Sequence, residues 1–334
     1  MGIYAEYIKQ NLGGEPLNKE RKKQLKNIAE IRQREILVFA SALTKTRAPI
    51  GIDNDDIVPF MDQLNNLKGD KIDIILETPG GSGEHAEHII ECIRKKFKEV
   101  AFIVPGSAMS AGTIMVMAGD EILMSPSSAL GPIDAQINRG GKQFSAQAFL
   151  DGLEKIKQEV TETGNLNKTY IPILQNISPG EIQSAQNAWD FAKELVTAWL
   201  TKYKFCNWET HSSTGEPVTD KEKKKRAAEI AGQLRDHGQW KTHSRRIRID
   251  DLRKMKLKIT DYSEDKKLAE AIDRYFILLK MFFDAGTSFK VYETVESQIY
   301  RHTPVQGLPM VPMQDIEMAQ IGLQCSQCKN TMNM

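Results

Sequence analysis

Two turns constrain this chain more than anything else in it. The first is Thr78-Pro79-Gly80-Gly81-Ser82-Gly83, and the second is Val104-Pro105-Gly106-Ser107-Ala108-Met109-Ser110-Ala111-Gly112-Thr113. Each ends a short β-branched run and opens a helix-forming segment. Between them Ala86, Ile89, Ile90, Ile93 and Phe97 recur at helical spacing. Strand–turn–helix repeated in this way places both turns beyond the carboxyl ends of parallel strands, where they converge.

The flanking signals extend the pattern. Residues 36–40, 72–76, 100–104 and 121–124 read as buried strands, and 57–67 and 111–119 as helices. Near-continuous apolar strands alternating with helices indicate βαβ units and a parallel sheet covered on both faces. From about residue 150 the pattern becomes helical. Ser178-Pro179-Gly180-Glu181 and Thr219-Asp220-Lys221-Glu222 are capping boxes. The first opens a stripe of Ile182, Ala185, Trp189, Ala192, Val196, Trp199 and Tyr203, and a further helix is expected over 264–283. The expected organisation is a helical arm over 1–34, an α/β domain over 35–262 with a helical insertion at about 150–240, a C-terminal helix within 263–303, and a mobile tail over 304–334. The arm carries Leu25, Ile28 and Ile31 at helical spacing and reads equally as a solvated surface helix or an oligomer contact.

Composition removes several classes. A chain of 334 residues with 40% hydrophobic and 27% charged residues can bury a sizeable core. Its net charge of +1 gives no overall field drawing it to nucleic acid or membrane. No apolar run approaches the ~18 residues of a membrane span, and the first residues lack a basic segment before an apolar core, so a cytoplasmic location is expected. Cys92, Cys206, Cys325 and Cys328 do not make a disulfide framework. Cys325-x-x-Cys328 is half of a zinc site and reads better as a frayed terminus, while His85 and His88 lack a third ligand. The basic stretch from Lys241 to Lys258, with Arg245, Arg246, Arg248 and Arg253, lacks interleaved aromatics, so nucleic acid is not an expected partner. The run from Lys221 to Arg226 reads as a solvated helix face.

A nucleophilic serine needs exposure, a base, an orienter for that base, and donors for an oxyanion. Ser110 opens a helix, so the Ala111 N–H would point at a developing anion with the helix dipole behind it. Gly80 and Gly81 let their backbone approach closely. A lone Ser-Ala-Gly is more often a helix cap; the pairing of the two loops favours chemistry.

Thr78-Pro79-Gly80-Gly81, then Ala108-Met109-Ser110-Ala111-Gly112-Thr113, Ala118-Gly119-Asp120-Glu121-Ile122 and Leu130-Gly131-Pro132-Ile133-Asp134 follow one another in the order found in ClpP/crotonase-fold serine peptidases. Within these the chain resembles the serine dehydrogenase proteinase family, related to signal peptide peptidase A and Clp protease. The likeness is strongest over about 70–137 and extends from 35 to 260. It implies a ClpP/crotonase-like α/β fold with a mainly parallel sheet, helices on both faces and helical additions. It also implies Ser110 as nucleophile and an oxyanion hole from Gly81 and Ala111, with Gly80 shaping it. A protein or peptide substrate, a homo-oligomer and no metal or organic cofactor follow from the same resemblance. The segments 5–34 and 179–203 are candidate oligomer contacts. The chain has no Gly-x4-Gly-Lys-Ser/Thr loop, so any energy input would come from a separate unfoldase, and a membrane partner is the other candidate for substrate delivery.

The base is less direct. Clp proteases carry a His shortly after a turn that Pro126-Ser127-Ser128 matches, and here Asp134 stands near that place. Their Asp precedes a segment matched by 250–259, and the same distance lands near Thr242-His243-Ser244. The resemblance therefore implies a triad with two partners exchanged: Ser110, His243 as base and Asp134 as orienter. A Ser–Lys dyad, as in signal peptide peptidases, would use Lys142, Lys155 or Lys157, but a lysine base must be desolvated and these lie in charged segments. Two other readings stay open: a crotonase-type acyl-CoA enzyme using the same oxyanion hole without a serine nucleophile, and a catalytically silent oligomeric scaffold.

Overall fold

The computed structural model describes residues 2–211 and 214–303, together with the backbone of two short strands at 322–324 and 331–333. The chain begins with helices α1 (Ile3–Gln10) and α2 (Gly14–Arg32), followed by β1 (Glu35–Ser41), α3 (Ile57–Asn66), β2 (Lys71–Glu77), α4 (Gly83–Lys96) and β3 (Glu99–Val104). The two-residue strand β4 (Ser107–Ala108) leads into α5 (Ala111–Val116), β5 (Glu121–Met124) and the equally short β6 (Ala129–Leu130). A hairpin, β7 (Gln136–Arg139) and β8 (Lys142–Ser145), precedes the helices α6 (Ala146–Thr163), α7 (Ile171–Leu174), α8 (Pro179–Trp199), α9 (Asp220–Arg235), α10 (His237–Trp240) and α11 (Ile249–Lys254). After β9 (Thr260–Asp261) come α12 (Lys266–Ala285), β10 (Ser288–Glu293) and β11 (Gln298–His302).

The main sheet runs in the order β11-β10-β1-β2-β3-β5-β9. From β1 to β9 every pairing is parallel, as alternating buried strands and helices require. Its register puts Leu37, Ile74, Phe102 and Ile122 in one row and Val38, Ile75, Ile103 and Leu123 in the adjacent row. Successive side chains point to opposite faces, so these rows feed two separate cores. The first packs under α3, α4, α5, α8 and α9, and the second under α2 and α12.

One expectation about organisation is sharpened and another needs revision. The expected helical arm packs onto the domain through one face. Leu25 and Ile28 are fully buried in the second core, while Ile31 at the next position is 39% exposed. One of its charges is itself buried and partnered: Arg21 donates from Nε to Glu293 Oε1 at 3.0 Å. Residues 263–303 hold more than a helix. After α12 the chain returns as β10, antiparallel to β1, and β11, antiparallel to β10. Ser288, Lys290 and Glu293 gave this strand a polar look, yet all its residues are buried. Lys290 Nζ reaches Asp56 Oδ1 and the Gly51 carbonyl, both at 2.6 Å, and Glu293 takes Arg21. Buried charges are tolerated when each is paired in this way.

The insertion over about 150–240 is helical apart from its loops, and both expected capping boxes form, at Ser178/Glu181 and Thr219/Glu222. The tail over 304–334 forms its own unit, in which Gly322–Gln324 pairs antiparallel with Thr331–Asn333; the expected mobility there, and Cys325 and Cys328, lie outside the described residues. Among the described residues no helix is long and apolar enough to cross a membrane.

Candidate active site

The two glycine turns meet. The Thr78 N–H donates to the Ser107 carbonyl at 2.9 Å and the Met109 N–H to the Thr78 carbonyl at 3.0 Å, so the loops after β2 and β3 are clipped side by side. Beneath them the buried Glu77 carboxylate accepts from the Ser107 N–H at 2.7 Å and pairs with Lys280 Nζ at 2.8 Å; burial holds its carboxyl above the usual range.

Ser110 sits at the bend between β4 and α5 with φ 51° and ψ −115°. A non-glycine residue held there carries ~1–3 kcal/mol of strain, sustained only because its surroundings fix it. They do so on two sides. Gly80, at φ 97°, passes so close that an added Cβ would lie 2.7 Å from both the Met109 carbonyl oxygen and Ser110 Cβ. Gly131 packs from the other side, where a Cβ would lie 2.8 Å from Met109 Cε and 3.2 Å from the Ser110 nitrogen. The Thr113 hydroxyl locks this second loop, accepting from the Gly131 N–H at 2.9 Å.

The outer side of the first turn is strapped by Ile52. Its N–H donates to the Gly80 carbonyl at 2.7 Å, and its carbonyl accepts from the Ser82 N–H at 2.9 Å. The Gly80 N–H is occupied by Thr78 Oγ1 at 3.2 Å. The N–H groups of Gly81 and Ala111 donate to no protein acceptor among the described residues. Two unengaged backbone donors thus flank Ser110. With only six residues, α5 contributes little dipole, so the individual N–H groups carry the electrostatics.

Asp134 is buried at the end of the second loop and is gripped by three donors. His243 Nδ1 lies 2.6 Å from Oδ1, while His237 Nδ1 and Gln136 Nε2 each lie 2.9 Å from Oδ2. The 109-residue separation between Asp134 and His243 is closed by backbone pairing. Leu130 and Ile247 exchange N–H to carbonyl bonds at 2.9 Å each way, and the Ile133 N–H reaches the Leu234 carbonyl at 3.0 Å. With Nδ1 donating to the carboxylate, His243 Nε2 is the nitrogen left to accept a proton.

Ser110, Ala111, Gly81, Asp134 and His243 line one cleft of about 790 Å³, whose apolar wall includes Ile114, Ile133 and Phe191. Ser110 and His243 share the cleft without a hydrogen bond between them. His237 touches Asp134 from outside this lining. Nothing in the sequence pattern marks His237 or Gln136: Gln136, at the start of β7, reaches back two residues to Asp134, whereas His237 arrives only through the fold-back of α10. Lys142, Lys155 and Lys157 are exposed and do not line the cleft, and Lys157 pairs with Glu154 at 3.2 Å. His85 and His88 belong to no group of metal-ligating side chains among the described residues.

The sequence profile of the family described as ClpP-like SDH-type serine proteinase matches residues 17–195, a stretch holding both glycine turns, Ser110 and Asp134 but not His237 or His243. Two curated relatives are uncharacterized proteins of Methanocaldococcus jannaschii. MJ1495 is 25% identical over 195 residues, covering 55% of this chain and 63% of that protein. MJ0137 is 32% identical over 120 residues, covering 36% of this chain and 38% of that protein. The chain therefore matches less than two thirds of the length of either. Among solved structures, the ClpP protease catalytic domain from Plasmodium falciparum is 17% identical with a TM-score of 0.24, over 30% of this chain and 55% of that one. A mutant of the 1510-N membrane-bound stomatin-specific protease is 20% identical with a TM-score of 0.24, over 41% of this chain and 64% of that one. With the profile spanning more than half of its residues, including the two turns that form the cleft, the chain belongs to the ClpP-like SDH-type serine proteinase family.

Proposed function

We propose that the chain is a serine peptidase working through a Ser110 acyl-enzyme. Ser110 Oγ attacks the scissile carbonyl and His243 Nε2 takes its proton. The N–H groups of Gly81 and Ala111 receive the oxyanion, and Gly80 keeps the turn close enough for them to do so. The His243 imidazolium then returns its proton to the leaving amine, and the same nitrogen activates the water that releases the acyl group. Asp134 fixes the tautomer and stabilises the imidazolium without itself becoming protonated. The substrate is a protein or peptide, and the working form is a homo-oligomer, with α8 exposing Ile182 as one candidate contact.

The observation that carries this reading is the 2.6 Å bond from His243 to a fully buried carboxylate in the cleft that Ser110 lines. A histidine oriented by an inaccessible carboxylate beside a strained serine and two unengaged N–H groups is the arrangement acyl transfer needs. The exposure of Lys142, Lys155 and Lys157 leaves a lysine base without the desolvation it requires. The test is a fluorophosphonate probe with mass mapping of the adduct. Labelling of Ser110 in wild type and its loss in Ser110→Ala are expected; equal labelling of both proteins refutes the proposal.

A further inference from the structure

A second cavity, of about 770 Å³, opens at the amino ends of the parallel strands, away from the turns that hold Ser110. Its walls come from the π-helical turn Leu200–Lys204 and the loop after it, from α9, and from the segment joining α11 to β9. Three ammonium groups line it: Lys204, Lys256 and Lys258. None has a carboxylate within ion-pair distance among the described residues. Asp120, the acid at the rim, is already taken by Arg94 Nη1 at 2.8 Å and the Val100 N–H at 2.7 Å. Among the described residues Lys204 makes a single hydrogen bond, 3.1 Å to the Asp120 carbonyl. Burial pushes Lys204 down to about 8, with Lys258 adding to the shift and the more distant Glu121 and Asp120 opposing it. Glu121 and Asp120 act on Lys204 only from beyond ion-pair distance, so the three ammonium groups on this wall have room for a directly bound anion.

The opposite wall is aromatic. Trp208 is braced by Phe205 at 5.7 Å and by His211, edge on, at 5.4 Å, and is half-buried with its ring lining the cavity. Tyr203 is already covered by Arg94, 3.8 Å above its ring, and Phe205 is buried, so the half-buried Trp208 offers the larger aromatic surface to a ligand. The basic stretch ending at Lys258 carries no aromatics of its own; the fold brings them from the other side of α9.

We propose that this cavity binds a nucleoside phosphate, with the phosphates on Lys204, Lys256 and Lys258 and the base against Trp208. Ammonium groups are compact donors suited to phosphate. An indole face stacks with any base. The volume is that of a small-molecule site, ~300–1,000 Å³. An inorganic anion would leave the aromatic wall unused.

Isothermal titration of the full chain with ATP, adenosine, inorganic phosphate and a single-stranded RNA decamer tests this. Saturable ATP binding is expected, with adenosine and phosphate each about tenfold or more weaker. The exposed Lys258→Glu should weaken ATP about tenfold and Trp208→Ala about fivefold, with a wild-type far-UV circular dichroism spectrum and a cooperative urea transition certifying that both fold. ATP affinity unchanged in both variants overturns the site. So does a folded wild type that binds no ATP. Phosphate binding as tightly as ATP, unaffected by Trp208→Ala, reduces it to a plain anion site and overturns the assignment, as does RNA binding more tightly than ATP.

Discussion

His237 and His243 hold opposite oxygens of one carboxylate, their Nδ1 atoms 2.9 and 2.6 Å from Asp134. Only His243 reaches the cleft with Ser110, so the two imidazoles share a partner but not a role. His243→Ala should lower probe acylation and peptide hydrolysis by ~10⁴-fold or more. His237→Ala should cost about tenfold or less, because Gln136 still donates to the same oxygen at 2.9 Å. Comparison of acylation rates decides it. Equal losses in the two variants would mean that the base has been assigned to the wrong ring.

The Gly81 position offers a separate test of the oxyanion turn. At φ 145°, an alanine Cβ would fall 2.3 Å from the Ile52 nitrogen and 2.4 Å from its carbonyl oxygen. Both are backbone atoms held by the Ile52 strap and cannot swing aside. Gly81→Ala should cost ~1–3 kcal/mol of stability, by overpacking, and should also displace the N–H from the carbonyl it is meant to receive. Acylation should fall ~10²-fold or more even well below the melting temperature. A variant that is destabilised yet acylates at the wild-type rate would remove Gly81 from the oxyanion hole.

Much of this arrangement is legible in the sequence because local rules agree with tertiary ones. Leu37, Ile74, Phe102 and Ile122 are apolar, lie in strand-like runs, and form one row of the sheet. Gly80 and Gly81 stand where the backbone must pass at positive φ. The reading failed where buried charge imitates solvation. Arg21 and Lys290 have no exposed surface, and no window of neighbours shows that Glu293 and Asp56 will be waiting for them. His237 failed for a related reason: its partner lies 103 residues away, and only the return of α9 and α10 makes the contact.

The buried pair also yields a stability prediction. Arg21→Met strands the Glu293 carboxylate, which Tyr275 Oη still contacts at 2.6 Å and Lys22 approaches at 3.7 Å. Removing one member of a buried pair costs ~3–5 kcal/mol when nothing else compensates; with Lys22 at hand about 2–4 kcal/mol is expected. Because α2 and α12 share the second core, the loss should appear as one urea transition shifted to lower denaturant. A separate early transition, with probe labelling retained beyond it, would instead make the N-terminal helices an independent arm.

Lys204 gives the pH dependence its sign. Its folded value of about 8 lies below the ordinary lysine value of ~10.4. Between these limits the unfolded chain holds the proton that the folded chain has released, so this group makes stability rise with pH, by up to about 3 kcal/mol across the window. Below pH 8 both states are charged and the full cost of burying the ammonium is present. Lys204→Met removes that cost and also the 3.1 Å hydrogen bond to Asp120. The variant should therefore be about 1–2 kcal/mol more stable than wild type at pH 7. That advantage should shrink and vanish by pH 10, and taking the difference between the two proteins cancels the tyrosines and other lysines that titrate in the same range. Urea melts at pH 7, 8.5 and 10 measure it. A gap that stays constant with pH would place the Lys204 titration outside the window. If the cavity receives phosphate on this side chain, the more stable protein is also the one that loses the ligand: burial of the ammonium costs stability in the empty fold, and the incoming anion offsets that cost.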